Sequence, residues 1–229
     1  MSRVIAIINQ KGGSGKTTTA VNLGAYLARL CKTVLLIDLD PQANSTIHLG
    51  LKPHEIEMSI YDIMMDEKSF SDIILGTGIE NLYIAPANIN LSGVEIELAG
   101  IVGREMFLKD ASEEIKNDYD YILIDCPPSL GLLTINALTL AKELIIPVQT
   151  EFFALEGMGK LFQTVEVVKK RLNRDLKVTG IVPTMFDTRT NMSREVIEKI
   201  KEYFGDKVYK TIIRKNVRLA EASSHGKPI

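Results

Sequence analysis

The chain has few of the residues that build metal or covalent frameworks. It contains two cysteines, Cys31 and Cys126, and three histidines. The cysteines show no paired spacing and have no histidine cluster around them, which argues against a disulfide scaffold or a zinc site and fits a reducing cytoplasm. No apolar run approaches the roughly 20 residues that a membrane span needs. The N-terminus runs directly into the strand-like "RVIAII", without the basic region, longer apolar stretch and small-residue cleavage site of a signal peptide. Excess charge is also scarce. Charged residues make up 24% of the chain, with a net charge of −2. Any attraction to a polyanion must therefore come from a local basic patch. There is no internal repeat or low-complexity linker.

The chain is long and apolar enough, at 229 residues and 45% hydrophobic, to bury one large core. This predicts a single domain over 1–229. Short runs rich in Val, Ile and Leu fall at 4–8, 33–38, 82–85, 121–125, 144–148 and 178–183. They are continuously apolar, as expected of strands buried on both faces. Helical patterns lie between them, including 17–30, 106–117, 155–173 and 192–204. Such alternation predicts an α/β fold: a doubly wound, mostly parallel sheet with helices on both faces and its ligand at the carboxyl ends of the strands.

"NQKGGSGKTTTAVNLG", residues 9–24, follows the first strand. Gly12, Gly13 and Gly15 permit a tight turn whose N–H groups cradle phosphate at the start of a helix. Lys16 is placed to reach the outer phosphates and the Thr17 hydroxyl to ligate Mg²⁺. The first glycine of the ordinary G-x-x-x-x-G-K-[ST] loop would fall at Gln10, and an additional lysine, Lys11, precedes the glycines.

Carboxylates stand at two further strand ends. "DLDPQ" carries Asp38 and Asp40, and "YILIDCPPS" carries Asp125. A carboxylate after four apolar strand residues is placed to hold Mg²⁺, the Walker B role, here Asp125. In an extended segment Asp38 and Asp40 would share a face, so that one supports the metal and the other positions the attacking water.

Together these residues resemble the ParA/MinD superfamily of P-loop ATPases. "KGGSGKTTTAVNLG" is similar to its deviant Walker A motif, "DLDPQAN" to its A-prime motif, and "YDYILIDCPPSLGLLTINAL" to its Walker B and switch II. "EFFALEG", "TMFDTRTN" and "NVRLAEASSHGKPI" narrow the likeness to the chromosomal ParA subgroup, often called Soj. The resemblance implies ATP and Mg²⁺ as cofactors. Gly12, Gly13, Ser14, Gly15, Lys16, Thr17 and Thr18 would form the cradle, with Thr17, Asp38 and Asp125 at the metal. It makes Lys11 the signature lysine, crossing to the nucleotide of a second subunit in a symmetric dimer. A cation at the rim of a cradled polyphosphate, with no strong partner in its own chain, is consistent with that role. Lys11, Lys16 and Asp40 are thereby the candidate catalytic residues, Asp40 at the water-activating position, and Asn216 belongs to the segment contacting the adenine. Nothing like the guanine-reading N-K-x-D follows the sheet, which favours ATP over GTP. This sequence has Arg214 where the family usually has Pro, and it stops at "GKPI", where the family continues through a C-terminal helix.

The implied function is a slow ATPase that dimerises on ATP and, as a dimer, binds double-stranded DNA nonspecifically in chromosome or plasmid partitioning. Its implied partner is a ParB-type centromere-binding protein, and its location the cytoplasm, at the nucleoid. A MinD-like membrane-switching ATPase is the alternative; it needs a basic amphipathic C-terminal helix, which is not seen here. An iron-protein reductase of the same superfamily needs a second cysteine near the switch segments, and Cys126 has no such companion. From Lys207 to Arg218 the chain carries five basic residues and no acidic one. A solvated face and a phosphate-binding patch are equally open on composition. The resemblance favours the patch, because Arg189 and Arg218 match DNA-contacting positions. Arg214 and Lys215 add charge beside them.

Overall fold

A strand run that is apolar at every position must bury both of its faces, and the computed structural model, which describes residues 2–151 and 157–229, shows how. Seven strands form one sheet: β1 (Arg3–Ile7), β2 (Val34–Asp38), β3 (Leu75–Gly76), β4 (Leu82–Ala85), β5 (Tyr121–Asp125), β6 (Glu143–Gln149) and β7 (Lys177–Thr184). Their order is β3-β4-β2-β5-β1-β6-β7. All pairings are parallel except the short edge pair β3–β4.

Ten helices accompany the sheet among the described residues. They are α1 (Lys16–Arg29), α2 (Asn44–His48), α3 (Ile60–Met64), α4 (Phe70–Ile73), α5 (Val94–Glu97), α6 (Phe107–Ala111), α7 (Leu132–Leu140), α8 (Met158–Arg171), α9 (Asn191–Phe204) and α10 (Val217–Ser224). Successive strand side chains divide between two cores, as the twofold strand period requires. Ile5 and Ile7 of β1 pack with Ala20, Val21 and Ala25 of α1. Val4 and Ala6 pack on the other side, with α7, α8 and α9 contributing Ala137, Leu161 and Ile200. Gly24 lets α1 lie close to the sheet, since a Cβ there would sit 3.2 Å from Leu82 Cδ1. The doubly wound, mostly parallel sheet is thus as expected, and β1 ends at its centre, where the glycine-rich loop begins.

Three elements differ from the sequence pattern. The helix expected over 106–117 stops at Ala111 and tightens into a 3₁₀ turn over Ser112–Glu114. There Ser112 Oγ donates back to the Lys109 carbonyl at 2.7 Å, and Glu113 and Glu114 place negative charge at the helix end that disfavours it. The helix expected from 155 is described from Met158; residues 152–156, most of the "EFFALEG" motif, lie outside the described residues. Helix α7 shows no amphipathic period because seven of its nine residues are buried. The two cysteines have opposite environments: Cys31 is exposed just past the end of α1, and Cys126 is buried after β5.

Candidate functional site

The loop between β1 and α1 takes a shape that only glycine adopts without strain at two positions. Gly13 has φ 69° and Gly15 φ 89°, both in the left-handed region. Gly15 leads directly into α1, so a 14-residue helix points its N-terminus at the loop. Lys16 is buried, and its Nζ donates to the Lys11 carbonyl at 3.3 Å. Burial lowers the Lys16 pKa, while the nearby Asp125 and Asp40 charges work to raise it. An ammonium held this way, with one neutral acceptor among the described residues, is ready for a polyanion.

Asp38 and Asp125 face each other in register at the carboxyl ends of β2 and β5, and both are fully buried. Asp38 Oδ2 accepts the Thr46 N–H at 2.9 Å and the Thr46 hydroxyl at 2.8 Å, and its Oδ1 accepts the Asp40 N–H at 3.2 Å. Asp125 Oδ2 accepts the Thr17 hydroxyl at 2.7 Å and the Ser45 hydroxyl at 2.8 Å. Its Oδ1 is buried without a partner among the described residues. Burial raises the pKa of both carboxyls, and the Asp125 charge raises that of Asp38 further. Two buried acids and an orphaned carboxylate oxygen beside a threonine hydroxyl fit a hard divalent cation, which takes oxygen ligands.

Asp38 and Asp40, expected to share a face, have different partners. Strand β2 ends at Asp38, the Leu39 N–H still reaches the Asp125 carbonyl at 3.0 Å, and the Asp38 carboxylate accepts the Asp40 N–H, so the two carboxylates have separate surroundings. Asp38 is turned toward α2, and Asp40 lines the cavity above the loop. Asp40 Oδ1 accepts the Gln42 N–H at 3.0 Å.

That cavity measures about 670 Å³ and is lined by the loop from Gly12 to Thr18, with Asp40, Pro128 and Met185. A second cavity of about 390 Å³ shares Gly15, Thr18 and Met185 with it and is walled by Ile213, Val217 and Leu219. A polar, lysine-bearing chamber joined to an apolar one suits a molecule with a polyphosphate end and a flat aromatic end. Asn216 lines the second chamber and caps α10, accepting the Arg218 N–H at 3.0 Å.

The AAA domain family AAA_31 matches residues 2–178. Sporulation initiation inhibitor protein Soj of Bacillus subtilis (strain 168) is 57% identical over 229 residues, which cover 100% of this chain and 90% of that protein. The chain belongs to the Soj/ParA family. The chromosome-partitioning ATPase Soj of Treponema pallidum (strain Nichols) is 49% identical over 229 residues, covering 100% of this chain and 89% of its own. Among solved structures, cobyrinic acid a,c-diamide synthase from Mycobacterium smegmatis with bound ADP and magnesium superposes with a TM-score of 0.91. It is 38% identical and covers 98% of this chain and 92% of that one.

Seen as a Soj/ParA protein, the chain departs from expectation at Lys11. The sequence leaves Lys11 without a strong partner in its own chain, yet Lys11 Nζ lies 3.2 Å from Glu151 Oε2. The basic surface also has an acid in its midst. Arg214, Lys215 and Arg218 are exposed along the segment leading into α10. Phe186 bridges Arg214 in parallel, which brings that segment beside Asp187. Arg189 closes a fork on the same aspartate, Nε to Oδ1 at 2.9 Å and Nη2 to Oδ2 at 2.7 Å. The Arg189 bonds hold the Asp187 carboxyl well below the usual range. The patch therefore contains a carboxylate that stays ionised, paired with Arg189. The Soj/ParA site further recruits Ser45, Gln149 and Thr184, whose hydrogen-bond partners lie far away in the chain, and Thr46, whose partner Asp38 is eight residues back; none has a spacing signal.

Proposed function

We propose that this chain is an ATP-driven dimerisation switch of chromosome or plasmid partitioning, slowly hydrolysing Mg²⁺-ATP and binding double-stranded DNA nonspecifically as a dimer. The observation that carries it is the hydroxyl of Thr17 on the Asp125 carboxylate at 2.7 Å, at the mouth of a glycine cradle that also holds Lys16. A P-loop ATPase needs this meeting of phosphate cradle, hydroxyl and Walker B carboxylate. In this reading Gly12, Gly13, Ser14, Gly15 and Thr18 surround the polyphosphate, and Lys16 neutralises its outer charge. The adenine occupies the apolar chamber near Asn216. Thr17 and Asp125 would hold Mg²⁺, with Asp38 behind them; the ion supplies charge neutralisation to the polyphosphate when bound. Asp40, in the cavity wall, orients or polarises the attacking water. Lys11 crosses to the nucleotide of the second subunit, and Arg189, Arg214, Lys215 and Arg218 face DNA. A ParB-type partner would stimulate turnover at the nucleoid. The relatives' chromosome-partitioning names and the ADP and magnesium of the mycobacterial structure support this reading.

Size-exclusion chromatography with light scattering, with and without Mg²⁺-ATP, is the direct test. The protomer is 25.4 kDa, and the mass should double with ATP and stay at one protomer with ADP. A single-protomer mass at saturating ATP would remove the switch. Failure to bind ATP at all would remove the nucleotide as well.

A further inference from the structure

Gln149 and Thr184 are the last residues of β6 and β7 and pair in register. Each donates to the phosphate loop, and to consecutive peptides of it. Gln149 Nε2 donates to the Gly13 carbonyl at 2.7 Å, and Thr184 Oγ1 donates to the Ser14 carbonyl at 2.8 Å. Both side chains are buried. Gln149 Nε2 has a second acceptor, Met185 Sδ, at 3.3 Å, which fixes the amide in place. Below them, Asn9 Nδ2 donates to the Pro147 carbonyl at 2.6 Å and Asn9 Oδ1 accepts the Lys11 N–H at 2.9 Å, so the entry to the loop is fastened to β6 too.

In a trans peptide the C=O and the following N–H point in opposite directions. Holding the Gly13 carbonyl on β6 therefore turns the Ser14 N–H away from the sheet edge, and holding the Ser14 carbonyl on β7 does the same to the Gly15 N–H. Left-handed glycines at 13 and 15 allow this conformation, but they equally allow many others in a free loop. The two side chains select one.

We propose that Gln149 and Thr184 are positioning residues of the nucleotide site, holding the Gly13 and Ser14 carbonyls outward so that the loop presents its N–H groups to phosphate. This rests on the reading of the cavity as a nucleoside polyphosphate site. Such preorganisation matters because amides already aimed at an anion need no reordering when it binds. It also explains why a threonine hydroxyl and a glutamine Nε2, donors that need acceptors once buried, stand at neighbouring strand ends, while Gln149 Oε1 has no partner among the described residues.

Calorimetric titration with Mg²⁺-ADP tests this without dimerisation entering. Thr184→Val keeps the packing volume and loses the donor; Thr184→Ser loses a methyl and keeps it. The valine variant should bind about 3- to 10-fold more weakly, the effect of one hydrogen bond, and the serine variant within about twofold of the parent. Gln149→Met should weaken ADP binding by a similar factor through its own peptide, which decides the matter if Thr184→Val fails to fold. Parental ADP affinity in Thr184→Val and Gln149→Met, or equal loss in the serine and valine variants, would overturn the positioning role. Absence of ADP binding by the parent would instead overturn the nucleotide reading beneath it.

Discussion

Lys11 and Glu151, 140 residues apart in the chain, meet as an ion pair at 3.2 Å, so the lysine read as reaching toward a second subunit is held by its own. Both side chains are substantially exposed, and a pair of this kind contributes about 0–1 kcal/mol. A polyphosphate carries far more charge than one carboxylate, so the lysine can exchange partners at little cost. Lys11→Ala should bind Mg²⁺-ATP within a fewfold of the parent and remain a single protomer by light scattering. Glu151→Gln should tighten ATP-dependent dimerisation by at most about thirtyfold, the equivalent of ~1 kcal/mol for each of the two lysines of a dimer. A normal dimer from Lys11→Ala would end the role assigned to it.

On the proposed function, Asp40 should separate binding from turnover. It lines the cavity and makes no hydrogen bond to the glycine loop among the described residues, so its removal leaves the cradle in place. Asp40→Ala should retain Mg²⁺-ATP and accumulate as dimer while steady-state phosphate release falls by roughly 10²-fold or more. A variant that stays monomeric in saturating ATP would count against the assignment.

The buried acids act against the nucleotide-free fold. Asp125 is fully buried, with one oxygen unsatisfied. Asp125→Asn removes that charge and keeps an acceptor for Thr17 and Ser45. The nucleotide-free variant should melt higher, by about 2–4 °C for each ~1 kcal/mol gained. Mg²⁺-ATP, which should raise the melting temperature of the parent, should raise that of the variant far less. Equal Mg²⁺-ATP stabilisation of both proteins, measured by differential scanning fluorimetry, would place the metal elsewhere.

DNA affinity should depend on dimerisation and on salt. If the dimer neutralises about four to eight phosphates, log K should fall with log salt at a slope of roughly −4 to −7, with little sequence preference. Arg218→Ala should flatten that slope by about one for each phosphate that the guanidinium neutralises, leaving ATP-dependent dimerisation unchanged. Arg189→Ala should cost more than Arg218→Ala, because it also uncovers the Asp187 carboxylate that the guanidinium now forks. Salt titrations on unrelated duplexes read both effects. Unchanged affinity in the double variant, or equal affinity without ATP, would remove DNA from the proposed function.

His48 should contribute a stability term that weakens in mild acid. The imidazole is buried on α2, has an unpartnered Nε2 and makes a hydrogen bond to the Lys227 backbone. Burial lowers its pKa in the fold, so the unfolded chain, near the ordinary value of about 6.5, takes up the proton first. The stability contributed by the neutral ring is therefore present above that value and lost as pH falls through it, by at most about 1.4 kcal/mol per pH unit. Asp38 and Asp125, with pKa values raised to about 7 and about 6 in the fold, work in the opposite direction over the same range. The His48 contribution is therefore read as a difference: on going from pH 7.5 to 5 in denaturant unfolding, the parent should lose stability relative to His48→Leu. Identical slopes would assign the acid sensitivity to other groups.

The sheet was legible because burial on both faces leaves a strand no polar residue. All six apolar runs begin and end within one residue of their strands, and "LYIA" and "YILID" match at both ends. The loop and its acids were legible because glycine, lysine and strand-end aspartate carry their chemistry in adjacent positions. Asp38 shows where that kind of reading stops: its residue type and place at a strand end are visible, but the Thr46 bonds that turn it toward α2 are not. Gln149 and Thr184 are less visible still, since they act on carbonyls 136 and 170 residues away. Helix α7 lacked a period for the same reason that the strands were clear: it is covered on nearly all sides.

The contrast between Cys31 and Cys126 gives the native chain a ready address for a spectroscopic probe. Cys126 is sealed behind the Walker B strand, and burial pushes its thiol pKa up, so an alkylating dye should leave it alone. Cys31 is exposed just beyond the far end of α1, a helix about 21 Å long whose other end abuts the phosphate cradle. A fluorophore placed there by simple maleimide chemistry would ride on the same rigid rod as Lys16 and Thr17 while standing clear of both cavities. Pairwise energy transfer between labelled protomers could then follow assembly in real time without a single engineered residue.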